Sequence, residues 1–256
     1  MRTLFRLNPQ FDNPVWRSWL QQLPEMVASL PAEALIQGGR NDVYRIEMDG
    51  YPLIAKCFYN RGAWKKVAYR FASSKARRSY EHSERLLKIG LRSPTPIAWR
   101  EDWSGPWLEN GYYICDYIDF EHEARRLNDR PRQEAIEKSR AAGRDFAEMH
   151  NSGIRHLDLT PGNLLFPKTQ SDDYQPYIID NNRMRFASIG VKEGILSLLQ
   201  LELEGELRDA LIDGYARSRN ITSERCRELY EQGLRRHQLK WRIKNGTRPL
   251  RRKIGL

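Results

Sequence analysis

The run His156-Leu157-Asp158-Leu159-Thr160-Pro161-Gly162-Asn163-Leu164-Leu165-Phe166 constrains this chain more than any other stretch. Its spacing is His-x-Asp-x4-Asn, and Asp180 follows seventeen positions after Asn163, at the end of the apolar run Tyr177-Ile178-Ile179. A polar loop framed by apolar residues and followed by a carboxylate closing a short strand offers two carboxylates and one amide oxygen. Phosphoryl transfer needs that set. One carboxylate orients or deprotonates the attacking hydroxyl, and a second, with an amide oxygen, holds a divalent cation against the nucleotide phosphates. Asp158 suits the first role, and Asn163 and Asp180 suit the second as Mg²⁺ ligands.

Upstream, Leu53-Ile54-Ala55-Lys56 ends an apolar strand on a lysine, and Glu81 lies on the following helix, nine residues before Gly90. That order predicts an ion pair between Lys56 and Glu81, with the ammonium fixed where ATP phosphate charge arrives. Ahead of the strand that begins at Val43, the turn Gly38-Gly39-Arg40-Asn41-Asp42 offers backbone N–H groups to phosphate. Each piece has an ordinary reading. Lys56 alone is a surface lysine, Glu81 alone is a helix partner for Arg77, Arg78 or Arg85, and Asp-x4-Asn alone is a polar loop. Four elements in this order and these contexts are far more specific.

The surrounding pattern predicts two parts. Asn13-Pro14 opens a helix within residues 11–30, and Val43–Met48 and Tyr51–Phe58 alternate as strands around the hairpin turn Asp49-Gly50. A helix spans about Lys65 to Ile89, with Gly90 as its stop, and strands follow at Ile97–Trp99 and Gly111–Tyr117. Then helices dominate: one over 131–151, and two or three over 191–235. This is an α+β plan with a β-rich N-lobe over 1–118 and a mainly helical C-lobe over 119–256. Asp116 and Tyr117 fall where the lobes connect and would meet adenine through their backbone groups.

The net charge of +10 is concentrated. Residues 56–100 carry twelve Lys/Arg against Glu81 and Glu84, and residues 235–256 carry nine Lys/Arg and no acid. Such segments attract nucleic acid, anionic membrane surfaces or anionic small molecules, or are simply solvated. The tail from Arg235 mixes its bases with Leu239, Trp241, Ile243, Leu250 and Ile254, a composition that suits an anionic bilayer surface, although Gly246 and Pro249 interrupt a continuous helix. No run of about 18 apolar residues suggests a membrane span. Met1-Arg-Thr-Leu-Phe-Arg runs into Asn8, Pro9 and Gln10, so no secretory signal is expected there. Cys57, Cys115 and Cys226 are odd in number and widely spaced, which argues against a disulfide scaffold or zinc site and for a reducing compartment.

These stretches together resemble the protein-kinase-like superfamily, and within it the bacterial lipopolysaccharide kinases of the Kdo/WaaP family. The resemblance spans roughly residues 35–190. It rests on Gly39-Arg40-Asn41-Asp42-Val43-Tyr44-Arg45, the basic helix Ser74-Lys75-Ala76-Arg77-Arg78-Ser79-Tyr80-Glu81, Thr95-Pro96-Ile97, the His156 loop, and Ile179-Asp180-Asn181-Asn182-Arg183-Met184-Arg185-Phe186. It implies a two-lobe kinase fold with the nucleotide cleft between the lobes. Asp158 is then catalytic, and Asn163 and Asp180 are metal ligands. Lys56, Glu81, Gly38, Gly39, Arg40, Val43, Asp116 and Tyr117 form the ATP site.

By the same resemblance the acceptor is an inner-core Kdo or heptose on the lipid A glycolipid. The protein would be cytoplasmic and peripheral to the anionic inner membrane of a Gram-negative bacterium, with no nucleic-acid partner expected. The departures from protein kinases are Leu157 for Arg, Thr160 for Lys, Asn181-Asn182 for Phe-Gly, an incomplete Gly-rich turn, and no room for a long activation segment. They imply a constitutively active glycan or small-molecule kinase. Two other readings are an atypical protein kinase and a non-catalytic adaptor on a kinase-like fold.

Overall fold

The computed structural model describes residues 1–60, 73–168 and 174–246, with backbone alone over 240–246. In chain order its strands are β1 (Arg2–Leu7), β2 (Leu35–Gln37), β3 (Asn41–Met48), β4 (Tyr51–Tyr59), β5 (Pro96–Ser104), β6 (Trp107–Asp116), β7 (Phe120–Glu123), β8 (Ile154–His156), β9 (Leu164–Pro167), β10 (Tyr177–Ile178) and β11 (Met184–Phe186). Its α-helices are α1 (Pro14–Ala28), α2 (Lys75–Lys88), α3 (Arg132–Asn151), α4 (Val191–Leu198), α5 (Gly205–Ser218) and α6 (Ser223–Gly246). The chain divides into two compact units, Met1–Glu121 with Tyr177–Met184, and His122–Pro176 with Arg185–Leu256. The sequence reading put 177–184 in the second part. Here it belongs to the first, where Ile178 N–H donates to Arg92 O at 2.9 Å.

The first unit is built on an antiparallel sheet in the order β1-β5-β6-β4-β3-β2. Met48 pairs with Tyr51 across Asp49 (φ 54°) and Gly50 (φ 75°), so the hairpin takes the two-residue turn in which both central residues have positive φ. Strand alternation divides β4 between two faces. Leu53, Ala55 and Cys57 point into a core with Leu20, Leu23 and Val27 of α1, while Ile54 and Phe58 pack with Ala76 and Tyr80 of α2. Lys56 shares the α2 face by the same alternation.

Asn13 caps α1 by accepting from Val15 N and Trp16 N at 3.0 Å. Buried Arg100 donates to Leu20 O at 2.6 Å and Gln21 O at 2.5 Å, and to Asp102 at 2.9 Å, which ties α1 to the sheet. Helix α2 starts at Lys75, with Ser74 accepting from Arg77 N at 3.1 Å. The part of that helix expected over 65–72 lies outside the described residues, as do Trp64 and 247–256.

The second unit centres on α3 packed against α5. A Cβ at Gly143 would lie 2.1 Å from Leu211 O, and one at Gly214 would lie 2.1 Å from Arg140 O. Two glycines facing each other's helix therefore set the backbone approach. Ala141, Ala142, Phe146 and Met149 fill the core beside them. The three cysteines are buried and free. Among the described residues, no helix is long and apolar enough to cross a membrane.

Candidate active-site residues

In the first unit Lys56 Nζ lies 2.6 Å from Asp180 Oδ1, joining positions 124 apart in sequence. The two side chains are only 17% and 30% exposed, so this is no solvated surface pair. Asp180 sits at φ 58°, a backbone region that a non-glycine residue occupies only when its surroundings hold it there. The hold is visible. Buried Asn181 donates from Nδ2 to Ser83 Oγ and Ser93 Oγ, both at 2.9 Å, and to Ile178 O at 3.2 Å. His82 Nδ1 donates to Asn181 O at 2.6 Å, and Tyr113 OH donates to Ser83 Oγ at 3.1 Å. Asn182 donates to the same Asp180 oxygen as Lys56. Asn181 and Asn182 carry a signal in the sequence, the run of amides directly after Asp180; His82 on α2 carries none.

The expected Lys56–Glu81 pair does not form. Glu81 accepts from Arg77 Nε at 2.7 Å, one helical turn away, and Asp180 takes Lys56 instead. An adjacent guanidinium at i−4 captures the carboxylate locally, and the burial of Lys56 selects the carboxylate that the Asn181 network brings to it.

The Gly38–Gly39 turn is ordered by Asp42, whose carboxylate accepts from Gly39 N at 3.2 Å, with Gly39 at φ 142°. Arg40 is exposed, and Val43 is paired across the hairpin with Lys56. At the end of β6, Asp116 N donates to Thr95 O at 3.1 Å and Tyr117 N to Pro52 O at 3.2 Å. These two N–H groups are thus spent inside the unit. The Asp116 carboxylate accepts from Tyr51 OH at 3.1 Å, and Arg45 stacks 4.2 Å from the Tyr117 ring centroid.

In the second unit β8 and β9 flank the His156 loop, which is held in part by its own residues. Fully buried His156 accepts Asp158 N–H at Nδ1 (3.1 Å), which puts its proton on Nε2. Asn163 Nδ2 donates to Asp158 O at 2.7 Å, and Thr160 N to the same oxygen at 3.0 Å. Gln200, another residue missed in the sequence, accepts Leu159 N–H at 3.0 Å. With its NH₂ turned to Asp158 O, Asn163 keeps its amide oxygen as the acceptor end of the side chain.

Arg185 pairs with Glu193 at 2.5 Å, and Arg155 joins it there. Trp99 is buried beneath Arg77 of α2, and Trp103 donates to Glu101 at 3.0 Å. His150 is core: Nδ1 meets Tyr215 OH at 3.0 Å, and burial pushes its pKa down to about 4.

A sheet unit with a strand lysine facing a helix, and a helical unit carrying a His-x-Asp-x4-Asn loop, define a protein-kinase-like fold. The sequence model of the lipopolysaccharide kinase (Kdo/WaaP) family matches residues 44–202, more than half of the chain, and the chain belongs to that family. In fold it is similar to the solved structure titled "WaaP in complex with acyl carrier protein", at TM-score 0.61 and 17% identity, over 93% of this chain and 98% of that one. Weaker likenesses are to the bifunctional kinase-methyltransferase WbdD (TM-score 0.46, 13% identity, 77% of this chain and 43% of that chain) and to the autoinhibited titin kinase domain (TM-score 0.43, 16% identity, 63% and 47%). No curated protein sequence matches.

Proposed function

We propose that this lipopolysaccharide-kinase family member transfers the γ-phosphoryl of ATP, with Mg²⁺, to a hydroxyl of an inner-core sugar, Kdo or heptose. The observation that carries the reading is the Lys56–Asp180 pair, which singles out these two charges from a basic chain and fixes them together. Asp158 orients the attacking hydroxyl and accepts its proton as the new P–O bond forms. Lys56 grips the nucleotide phosphates. The turn at Gly38, Gly39 and Arg40, with Val43 beside it, lies over the nucleotide, and the backbone at Asp116 and Tyr117 borders the base. Glu81 has no part in holding Lys56.

The oxygen donors fit a hard cation. Asp180 keeps Oδ2 unpaired among the described residues, and Asn163 presents its amide oxygen. Mg²⁺ held by these residues would neutralise phosphate charge. An anionic, membrane-anchored acceptor suits the basic segments over 56–100 and 235–256, which would hold the enzyme at the inner-membrane surface without a span.

The test is ATP turnover by the full chain with Mg²⁺ on Kdo–lipid A, heptosylated core and a generic protein, with Asp158→Ala beside it. Phosphate on one glycolipid, lost in the variant, is expected. Phosphate on the protein substrate alone would replace the glycan reading with an atypical protein kinase.

A further inference from the structure

Helix α2 carries charges that the roles above leave unused. Its two acids are committed away from Lys56: Glu81 holds Arg77 at 2.7 Å, and Glu84 holds Arg6 at 3.3 Å. Lys75, Arg78 and His82 follow at spacings of three and four, which on a helix is one face. Both ends of that face have fixed addresses. At one end Lys75 Nζ lies 3.4 Å from Asn41 Oδ1, where β3 leaves the Gly38–Gly39 turn, and 5.6 Å from the Phe58 ring centroid. Lys56 Nζ lies 5.8 Å from the same centroid. At the other end His82 bonds Asn181 O, one residue past the Asp180 that holds Lys56.

Arg78 stands between these ends. Its Nε is buried without a hydrogen-bond partner, and no carboxylate pairs with it among the described residues. Its charge also bears on His82, whose pKa is lowered chiefly by burial and then further by Arg78 and Arg85. A buried guanidinium nitrogen without an acceptor is costly, and a bound anion removes that cost. The helix expected to supply a carboxylate to Lys56 supplies cations instead.

We propose that Lys75 and Arg78 form a second phosphate-oxyanion subsite beside Lys56, filled by the terminal phosphate of the nucleotide or by an anionic group of the acceptor. This rests on the reading of Lys56 as the nucleotide-phosphate residue. Arg78 offers a planar fork to two oxyanion oxygens, and Lys75 a point charge at the turn.

The experiment is calorimetric titration of the full chain with ATP, ADP and AMP in Mg²⁺, and measurement of acceptor KM, for Arg78→Gln, Lys75→Gln, the double variant, Arg78→Lys and Lys56→Met. If the nucleotide fills the subsite, Arg78→Gln weakens ATP about tenfold and the double variant about a hundredfold, while AMP changes by less than about twofold. If the acceptor fills it, ATP affinity holds, and acceptor KM rises about tenfold with kcat nearly kept. Arg78→Lys, keeping the charge, recovers part of either loss.

Unchanged ATP affinity and unchanged KM in folded Arg78→Gln and Lys75→Gln would overturn the subsite. Lys56→Met tells the two failures apart. If it weakens ATP while the helix variants do not, only the subsite is lost. If it too changes nothing, the nucleotide reading of Lys56 falls as well. Should the double variant not fold, the partly exposed Lys75→Gln carries the test alone.

Discussion

The His156 loop and the Lys56–Asp180 pair are held in opposite ways. In the loop, Asp158 N bonds His156, and both Thr160 N and Asn163 Nδ2 bond Asp158 O, all within eight residues. Around the pair, Asp180 lies 124 positions from Lys56, and Asn181 reaches Ser83 and Ser93 across 98 and 88 positions. A loop held largely by near neighbours, with Gln200 adding one bond from 41 positions away, can change its chemistry with little disturbance of the fold. A pair held by distant partners couples function to stability, because the same bonds that place the charge hold α2 to the Tyr177–Met184 segment.

The largest expected effect is on chemistry. Asp180→Ala removes the proposed metal ligand and strands Lys56, so kcat/KM should fall by about 10³ or more, and the melting temperature should fall too. Asn163→Ala should cost activity on the order of 10²-fold with little change in melting temperature. Equal stability losses in the two variants would break the contrast.

Next comes Asn181→Ala, which touches no substrate. It removes three hydrogen bonds in a buried site and should destabilise the protein by about 2–4 kcal/mol in urea unfolding, with activity falling because Asp180 loses its support. Full stability with activity retained would show that Asp180 is held by something else.

Acid sharpens the comparison within the second unit, where buried His150 is held by Tyr215 across 65 positions. Its folded pKa of about 4 lies below the ordinary 6.5, so between those values the unfolded chain binds the extra proton. Stability therefore falls as pH drops from about 6.5 to about 4, by on the order of 3 kcal/mol from this group, and no further below. Unfolding measured across that range should show the slope in the wild type and lose it in His150→Gln.

The smallest effect belongs to Glu81→Gln. Its partner is the half-exposed Arg77, so stability should change by about 0.5 kcal/mol or less and ATP affinity by less than about twofold. A tenfold loss of ATP affinity would restore the Lys56–Glu81 pairing read from the sequence.

Much of this was legible beforehand for a physical reason. Asn13-Pro14, Asp49-Gly50 and the Asp158–Asn163 spacing all act through bonds that close within a few residues, so the residues carry their own geometry. Strand β1 escaped notice because Arg2–Leu7 is mostly exposed, and its order comes from pairing with β5 nearly a hundred positions away. Arg100 escaped because a buried arginine shows itself only once Leu20 O and Gln21 O are in place.

By itself, then, the sequence determined the class of fold, the family and the residue types of the site, because turn dihedrals, strand alternation and short-range hydrogen bonds are written locally. Only the tertiary structure decided which carboxylate Lys56 holds and that Asn181 anchors it. It also decided that α2 sends Lys75 to Asn41, beside the Gly38–Gly39 turn, while Glu81 stays with Arg77. Those outcomes are competitions among charges far apart in the chain. Burial, packing and the nearest available partner settle them, and none of these is a property of a short run of residues.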